Sequence, residues 1–276
     1  MVAATTLATV PWSDGPTGLP RRTEPAPQGG WTLPEDVRLV PSPVHVRRDA
    51  AGDLWVTHGA VRMVRCGRPG HIELPDDTGP MLDVAVVSER SYGLMDRVDE
   101  GARVRWYLDG APAWERVGDF RTLLTDDGRV WTVERHGPAV DERDAGTGEP
   151  VRTVRRSLDA GEPFVVDGRL YAVFTDVDAG QRGVEVVEPD GTVRRSPFAG
   201  TEPYAWLVHP IGFDAAGRPY AVRDGSVARV TADGRVEVVG DVGDLSPRLL
   251  RVDPDGQVLF VVVGEGVAVR SLRLGG

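Results

Sequence analysis

One phrase recurs along the chain and constrains the fold more than any other feature. Glycine follows a small or acidic residue, and an aliphatic or aromatic pair and a valine come soon after. It reads AGDLWV at Ala51–Val56, DGRVWTV at Asp127–Val133, DGRLYAV at Asp167–Val173, AGRPYAV at Ala216–Val222 and DGQVLFV at Asp255–Val261. The turn glycines are Gly52, Gly128, Gly168, Gly217 and Gly256. The first two are 76 residues apart, and a degenerate copy, SERSYGLM at Ser88–Met95, lies midway with Arg90 in the glycine's place. The remaining intervals are 40, 49 and 39 residues. A period near 40 marks a repeat architecture in which each unit buries its faces against its neighbours.

A second turn follows within most copies: Leu108–Gly110, Gly146–Gly148, Pro189–Gly191 and Ala232–Gly234. Asp-Gly and its relatives supply the positive φ angles of tight hairpins. Between turns lie short runs rich in valine, and helical periodicity is nearly missing. Each copy therefore predicts a four-stranded antiparallel meander, one blade of a β-propeller. The fold expected is all-β, a six-bladed propeller forming a single domain over residues 1–276, with the blades in 40–276. The sixth copy runs out of chain after its third strand. An open edge invites aggregation, so the N-terminal strand 1–11 is expected to close the ring, ahead of a Pro/Gly-rich linker over 12–30. Trp31–Val40 is the alternative donor.

ARVTADGRVEVVG and DGRVWTV resemble the repeats of the streptogramin lyase, NHL and gluconolactonase (SMP-30) superfamily of propellers. The resemblance covers residues 40–276 and concerns turn chemistry. It implies a six-bladed propeller with a site at one mouth of the central channel. Gluconolactonase-like members hold a divalent metal through Glu, Asp and Asn, and this chain contains no asparagine. Streptogramin lyases use a histidine base, and their motif does not match here residue by residue.

Composition excludes several chemistries. All 32 basic residues are arginine, so Schiff-base and Walker lysines are excluded. GC-rich coding accounts for the missing lysine and asparagine. A net charge of -10 argues against nucleic-acid binding, and no apolar run is long enough to span a membrane. The N-terminus lacks the basic start of a secretory signal, so a cytoplasmic location is expected. The lone Cys66 reads as a packed small hydrophobe.

In a propeller, the starts of the innermost strands and the loops after the second strands share one face. Counting back seven from the turn glycine, or its equivalent, reaches His45, Asp83 and Arg121, each 38 residues apart, which predicts one shared structural position. The nearest equivalents in the later copies are Glu162, His209 and Arg248. Counting forward six reaches His58, Asp96, Glu134, Phe174, Arg223 and Val262, and His136 follows Glu134 closely. Histidines supply bases near neutral pH, carboxylates orient them, and arginines clamp anions.

His45, His58, His209, Asp83, Asp96 and Glu134 are therefore the candidate catalytic residues. Arg121, His136, Glu162, Arg223 and Arg248 are the candidate substrate-binding residues. The expected activity is lyase, cyclase or lactone-opening chemistry on a small-molecule ligand, with no cofactor required or with one divalent metal. The alternatives are a non-catalytic scaffold for a protein partner and a small-molecule binding protein.

Overall fold

The computed structural model describes residues 31–32, 45–58, 62–66, 70–126, 128–241, 249–252, 257–263 and 267–273. Its first strand, β1 (Trp31–Thr32), stands apart from the blades that follow. Blade one holds β2 (Val46–Arg48), β3 (Leu54–His58), β4 (Arg62–Arg65) and β5 (His71–Glu73). Blade two holds β6 (Met81–Ser88), β7 (Ser91–Val98), β8 (Gly101–Leu108) and β9 (Ala111–Gly118). Blade three holds β10 (Phe120–Asp126), β11 (Arg129–Glu134), β12 (Ala139–Arg143) and β13 (Pro150–Arg155). Blade four holds β14 (Phe164–Val166), β15 (Arg169–Asp176), β16 (Gln181–Val187) and β17 (Val193–Pro197). A short helix α1 (Glu202–Trp206) precedes blade five, which holds β18 (Pro210–Phe213), β19 (Pro219–Arg223), β20 (Ser226–Val230) and β21 (Val236–Asp241). The chain then adds β22 (Leu249–Val252), β23 (Gln257–Val263) and β24 (Val267–Arg273).

Five blades are thus antiparallel sheets of four consecutive strands, where six blades were expected, the sixth closed by an N-terminal strand. The remaining sheet is composite, in the order β1-β24-β23-β22. In it Trp31 and Thr32 pair with Val269 and Ala268 of β24. The closing strand expected over 1–11, the linker over 12–30 and Arg248 lie outside the described residues.

The turns explain why these residues form hairpins. Gly52, Gly128, Gly168 and Gly217 all have φ between 71° and 84°. At Asp109-Gly110, Asp167-Gly168 and Asp224-Gly225 both residues have positive φ, the geometry of a two-residue hairpin turn matched to strand twist. In blades one and five an aspartate starts the turn and ties the next strand. Asp49 accepts from Asp53 N–H at 2.8 Å and Trp55 Nε1–H at 2.9 Å. Asp214 accepts from Ala216 N–H, Arg218 N–H and Tyr220 Oη–H.

Side chains alternate faces along a strand, so each blade contributes to two separate cores. On β6, Val84 and Val86 join Trp55, Met63 and Tyr92 between blades one and two. The intervening Ala85 joins Met95, Trp106 and Leu123 between blades two and three. Trp131 and Leu170 lie in the layer between blades three and four, and Tyr171 and Phe213 in the next. The repeat aromatics Trp55, Trp131, Tyr171 and Tyr220 are all buried, contributing about 2 kcal/mol each through apolar burial. Blade two lacks this aromatic, having Gly93 at that position. The Trp106 ring of β8 occupies the space, 2.5 Å from where a Cβ on Gly93 would sit, and it stacks on Trp114 at 6.3 Å.

The innermost strands pack in chain order: β2 against β6, β6 against β10, then β10 on β14, β14 on β18 and β18 on β22. This sequence of contacts brings residues distant in the chain to one end of the fold.

Candidate functional site

The inner strands of blades one to three are in register. Val46 pairs with Val56, Val84 with Leu94 and Leu123 with Thr132. The residue before each of these inner positions is His45, Asp83 and Thr122. Arg121 is therefore not the equivalent of His45 and Asp83, although it lies at the same count from its glycine. The hairpin of blade three is one residue tighter relative to that glycine, and a bulge falls between Phe120 and Thr122. A one-residue slip moves a side chain to the other face. Arg121 is accordingly exposed, and Thr122 is buried.

Asp83 joins the three blades. It is 4% exposed and accepts from Thr122 Oγ1–H at 2.5 Å, Leu123 N–H at 3.0 Å and its neighbour Val84 N–H at 2.9 Å. The Arg47 guanidinium of β2 also donates to it and reaches Val84 O at 2.7 Å. His45 Nδ1 lies 3.7 Å from the Asp83 carboxylate, with the imidazole side chain 12% exposed. The His45 backbone N–H donates to Thr57 Oγ1 at 2.8 Å. An imidazole, a carboxylate and a hydroxyl from three neighbouring blades thus form one chain of contacts. The carboxylate, engaged by so many donors, acts as an acceptor that orients its neighbours.

Asp96 has a different role. It is fully buried on β7 and accepts from Gly79 N–H at 2.7 Å and twice from Arg103. Arg105 lies 3.7 Å from it and also bonds Asp77 Oδ1 and Thr78 Oγ1. The Asp77 carboxyl is held below its usual range by the Arg105 bond and by both arginine charges. This network clamps the connection before β6 onto β8 (tying backbone N–H groups and side chains together), and Asp96 serves that clamp.

The other expected residues are dispersed around the same end. Glu134 and His136 follow one another at the end of β11, and both are exposed. His136 Nδ1 lies 2.7 Å from Asp119 Oδ2. Asp119 belongs to the connection before β10, and the repeat count could not reach it because it falls outside the counted positions. Arg121 lies near Arg156, whose pKa is lowered by burial and by the Arg121 charge. Glu162 is half-buried just before β14; His209, before β18, is exposed, as is Arg223 at the end of β19. His58 ends β3, paired with Arg62. Among the described residues, no three His, Cys, Asp or Glu side chains converge to hold a metal ion. His71 is exposed on an outer strand, and Cys66 is buried with its thiol pushed up to about 12 by burial.

The same end carries an apolar surface at blade four. Leu158, in the connection before β14, is 82% exposed; Val177, after β15, is 83% exposed; and Val208, after α1, is 55% exposed. Asp159 O accepts from Thr175 N–H at 3.1 Å. Tyr204 of α1 accepts from Arg182 N–H at 3.0 Å. Hydrogen bonds therefore tie the first connection to the end of β15, and α1 to the start of β16.

The likeness to solved structures concerns this architecture. The PQQ-bound aldose sugar dehydrogenase of Streptomyces coelicolor aligns with a TM-score of 0.54 at 14% identity, over 90% of this chain and 99% of that one. The β-propeller domain of Cps50 (Swd1) from Myceliophteria thermophila aligns at 0.51 and 8% identity, over 83% of each chain. A putative glucose dehydrogenase from Thermus thermophilus aligns at 0.50 and 16% identity, over 88% of this chain and 100% of that one. The fold is a β-propeller. At these identities the likeness extends to fold alone. No family model and no curated protein matches the chain. No helix among the described residues is long and apolar enough to cross a membrane.

Proposed function

We propose that the protein binds a small anionic molecule at the channel-side ends of blades one to three and exchanges a proton with it through His45. The observation that supports this reading is the in-register set His45–Asp83–Thr122, with the imidazole side chain 12% exposed and its Nδ1 3.7 Å from the buried carboxylate. A carboxylate close to an imidazole suits the ring to accept a proton and stabilises the cation that forms. Arg121, exposed next to Thr122, supplies a cation for a carboxylate or an enolate-like oxygen. Lactone opening, elimination and cyclisation are the reactions this group suits, and each proceeds without a Schiff base.

The test is turnover of a panel of aliphatic and aryl lactones by the wild type and by His45→Gln, His45→Ala and Arg121→Ala. His45→Gln and His45→Ala should lower kcat by at least ~100-fold, the usual contribution of a general base, and Arg121→Ala should raise KM. Unchanged kcat in both His45 variants removes the proposed base.

We further propose that the composite sheet β1-β24-β23-β22 is the sixth blade and closes the ring. Support for a sixth blade comes from the packing of β22 against β18, which continues the order of inner strands; closure of the ring is the further step that the proposal makes. A closed disc of 276 residues should show a radius of gyration of about 19 Å in solution scattering. A clearly larger value would indicate an open arc.

A further inference from the structure

We propose that Arg47 is a positioning residue that keeps His45 a neutral base near neutral pH, by occupying the Asp83 carboxylate oxygen nearest the imidazole. This rests on the reading of His45 as a proton carrier, and it adds a residue that the repeat count did not reach.

Arg47 departs from the repeat. It pairs with Trp55 across the first hairpin. At the same register position, opposite the repeat aromatic or the glycine that replaces it, blades two to five carry Ala85, Leu124, Phe164 and Gly212. Ala85 and Leu124 are buried core residues. Blade one alone of these five places a charge there, with the guanidinium side chain 10% exposed. A charge so placed costs stability unless it is paired, and here its partner is Asp83.

Arg47 stands two residues after His45, so both side chains leave one face of the strand. His45 continues β2 by bonding to Thr57. Its N–H donates to Thr57 Oγ1 at 2.8 Å, and its carbonyl accepts from Thr57 N–H at 3.0 Å. Both side chains reach the same atom: Arg47 Nη2 donates to Asp83 Oδ1, and His45 Nδ1 lies 3.7 Å from it. Further bonds from Arg47 to Val84 O at 2.7 Å and Val46 O at 3.0 Å hold the guanidinium against β6.

An ionised carboxylate offers about four lone-pair sites. Asp83 Oδ1 accepts from Arg47 and from Val84 N–H, and Oδ2 accepts from Thr122 Oγ1–H and Leu123 N–H. These donors fill the sites, and His45 is left beyond hydrogen-bond distance. The imidazole therefore feels Asp83 through its field, and the cation on the same oxygen opposes that field. A carboxylate this near without the cation would favour imidazolium, which cannot accept a proton. The other strands at this point bring uncharged groups closest: Thr57 of β3, followed by His58, and Thr122 of β10, with Arg121 exposed beside it.

The experiment follows the five histidines of the full chain by NMR, isotope-labelled at imidazole Cε1, across roughly pH 5 to 9. The His45 signal is the one missing from His45→Gln. In Arg47→Met the His45 titration midpoint should rise by about 1 pH unit or more, and adding Asp83→Asn should bring it back down. Arg47→Lys keeps the cation and should give less than about half that rise. Thr122→Val removes a neutral donor from Oδ2 and should move the midpoint by under about 0.3 pH unit. Where circular dichroism shows Arg47→Met unfolded, Arg47→Gln serves for the same reading. A midpoint that stays or falls on loss of the guanidinium, or an equal rise in Thr122→Val, overturns this role for Arg47. Lactone turnover that ignores His45 removes the base and leaves the titration standing. A titration unmoved by Arg47 beside His45-dependent turnover removes the role of Arg47 alone.

Discussion

The channel-side ends of blades one to three and the loop end of blade four lie on the same face and are built on opposite terms. In the first region an aspartate draws Arg47, Thr122, a backbone N–H from β10 and an imidazole to one point, so polar groups hold neighbouring blades together. In the second, arginines also satisfy backbone and carboxylate oxygens, but the side chains facing water include Leu158, Val177 and Val208. The difference lies between polarity used for cohesion and apolar side chains left in water. Burial, not residue type, separates the two roles.

Substitutions can break this contrast at either end. The largest effect belongs to Asp83→Ala, which leaves Arg47, Thr122 and Leu123 N–H without their shared acceptor. It should cost about 4 kcal/mol, as expected when one partner of a buried pair is removed, measured by urea unfolding. Glu185→Ala tests whether blade four is held similarly beneath its apolar surface. Glu185 is 1% exposed and accepts from Ser157 N–H and Arg195, but it ties elements of one blade and its approach. About 2 kcal/mol is expected.

Asp77→Asn should cost under about 1 kcal/mol, because the carboxylate is 64% exposed and its pairs are screened by solvent. Its folded pKa lies below the ordinary 3.8, so its stabilisation is fully present above that value and is lost as pH falls through the lower folded value. The wild type should therefore lose its margin over the variant on acidification below about pH 4, measured by thermal unfolding. Leu158→Ser with Val177→Ser should change stability by under about 0.5 kcal/mol, because both side chains are already in water, measured by urea unfolding. A large loss of stability there would mean that these side chains serve packing after all.

Turn chemistry made the blade legible, because Asp-Gly hairpins and a β-branched run after each glycine dictate a meander whatever surrounds them. It also pointed to His45 and Asp83, which lie 3.7 Å apart. Register within a hairpin was less legible. Arg121 and Thr122 differ by one position, and the tighter turn of blade three decides which faces Asp83. The swap of Trp106 for the aromatic missing at Gly93 depends on a neighbouring strand, so no local pattern announces it. Asp96 and Asp83 look alike as counted positions. Only the three-dimensional partners separate an aspartate that clamps a loop under Arg103 from one that orients a histidine.

The pairing of Trp31 and Thr32 with Val269 and Ala268 has a consequence for how the molecule is made. These hydrogen bonds join residues far apart in sequence, so they cannot form until β24 has left the ribosome. Blades one to five can assemble in turn during synthesis, each docking on the last, and the composite sheet must wait. Removal of β24 would then leave Trp31 with no strand to join and β23 with one edge open to chaperones and proteases.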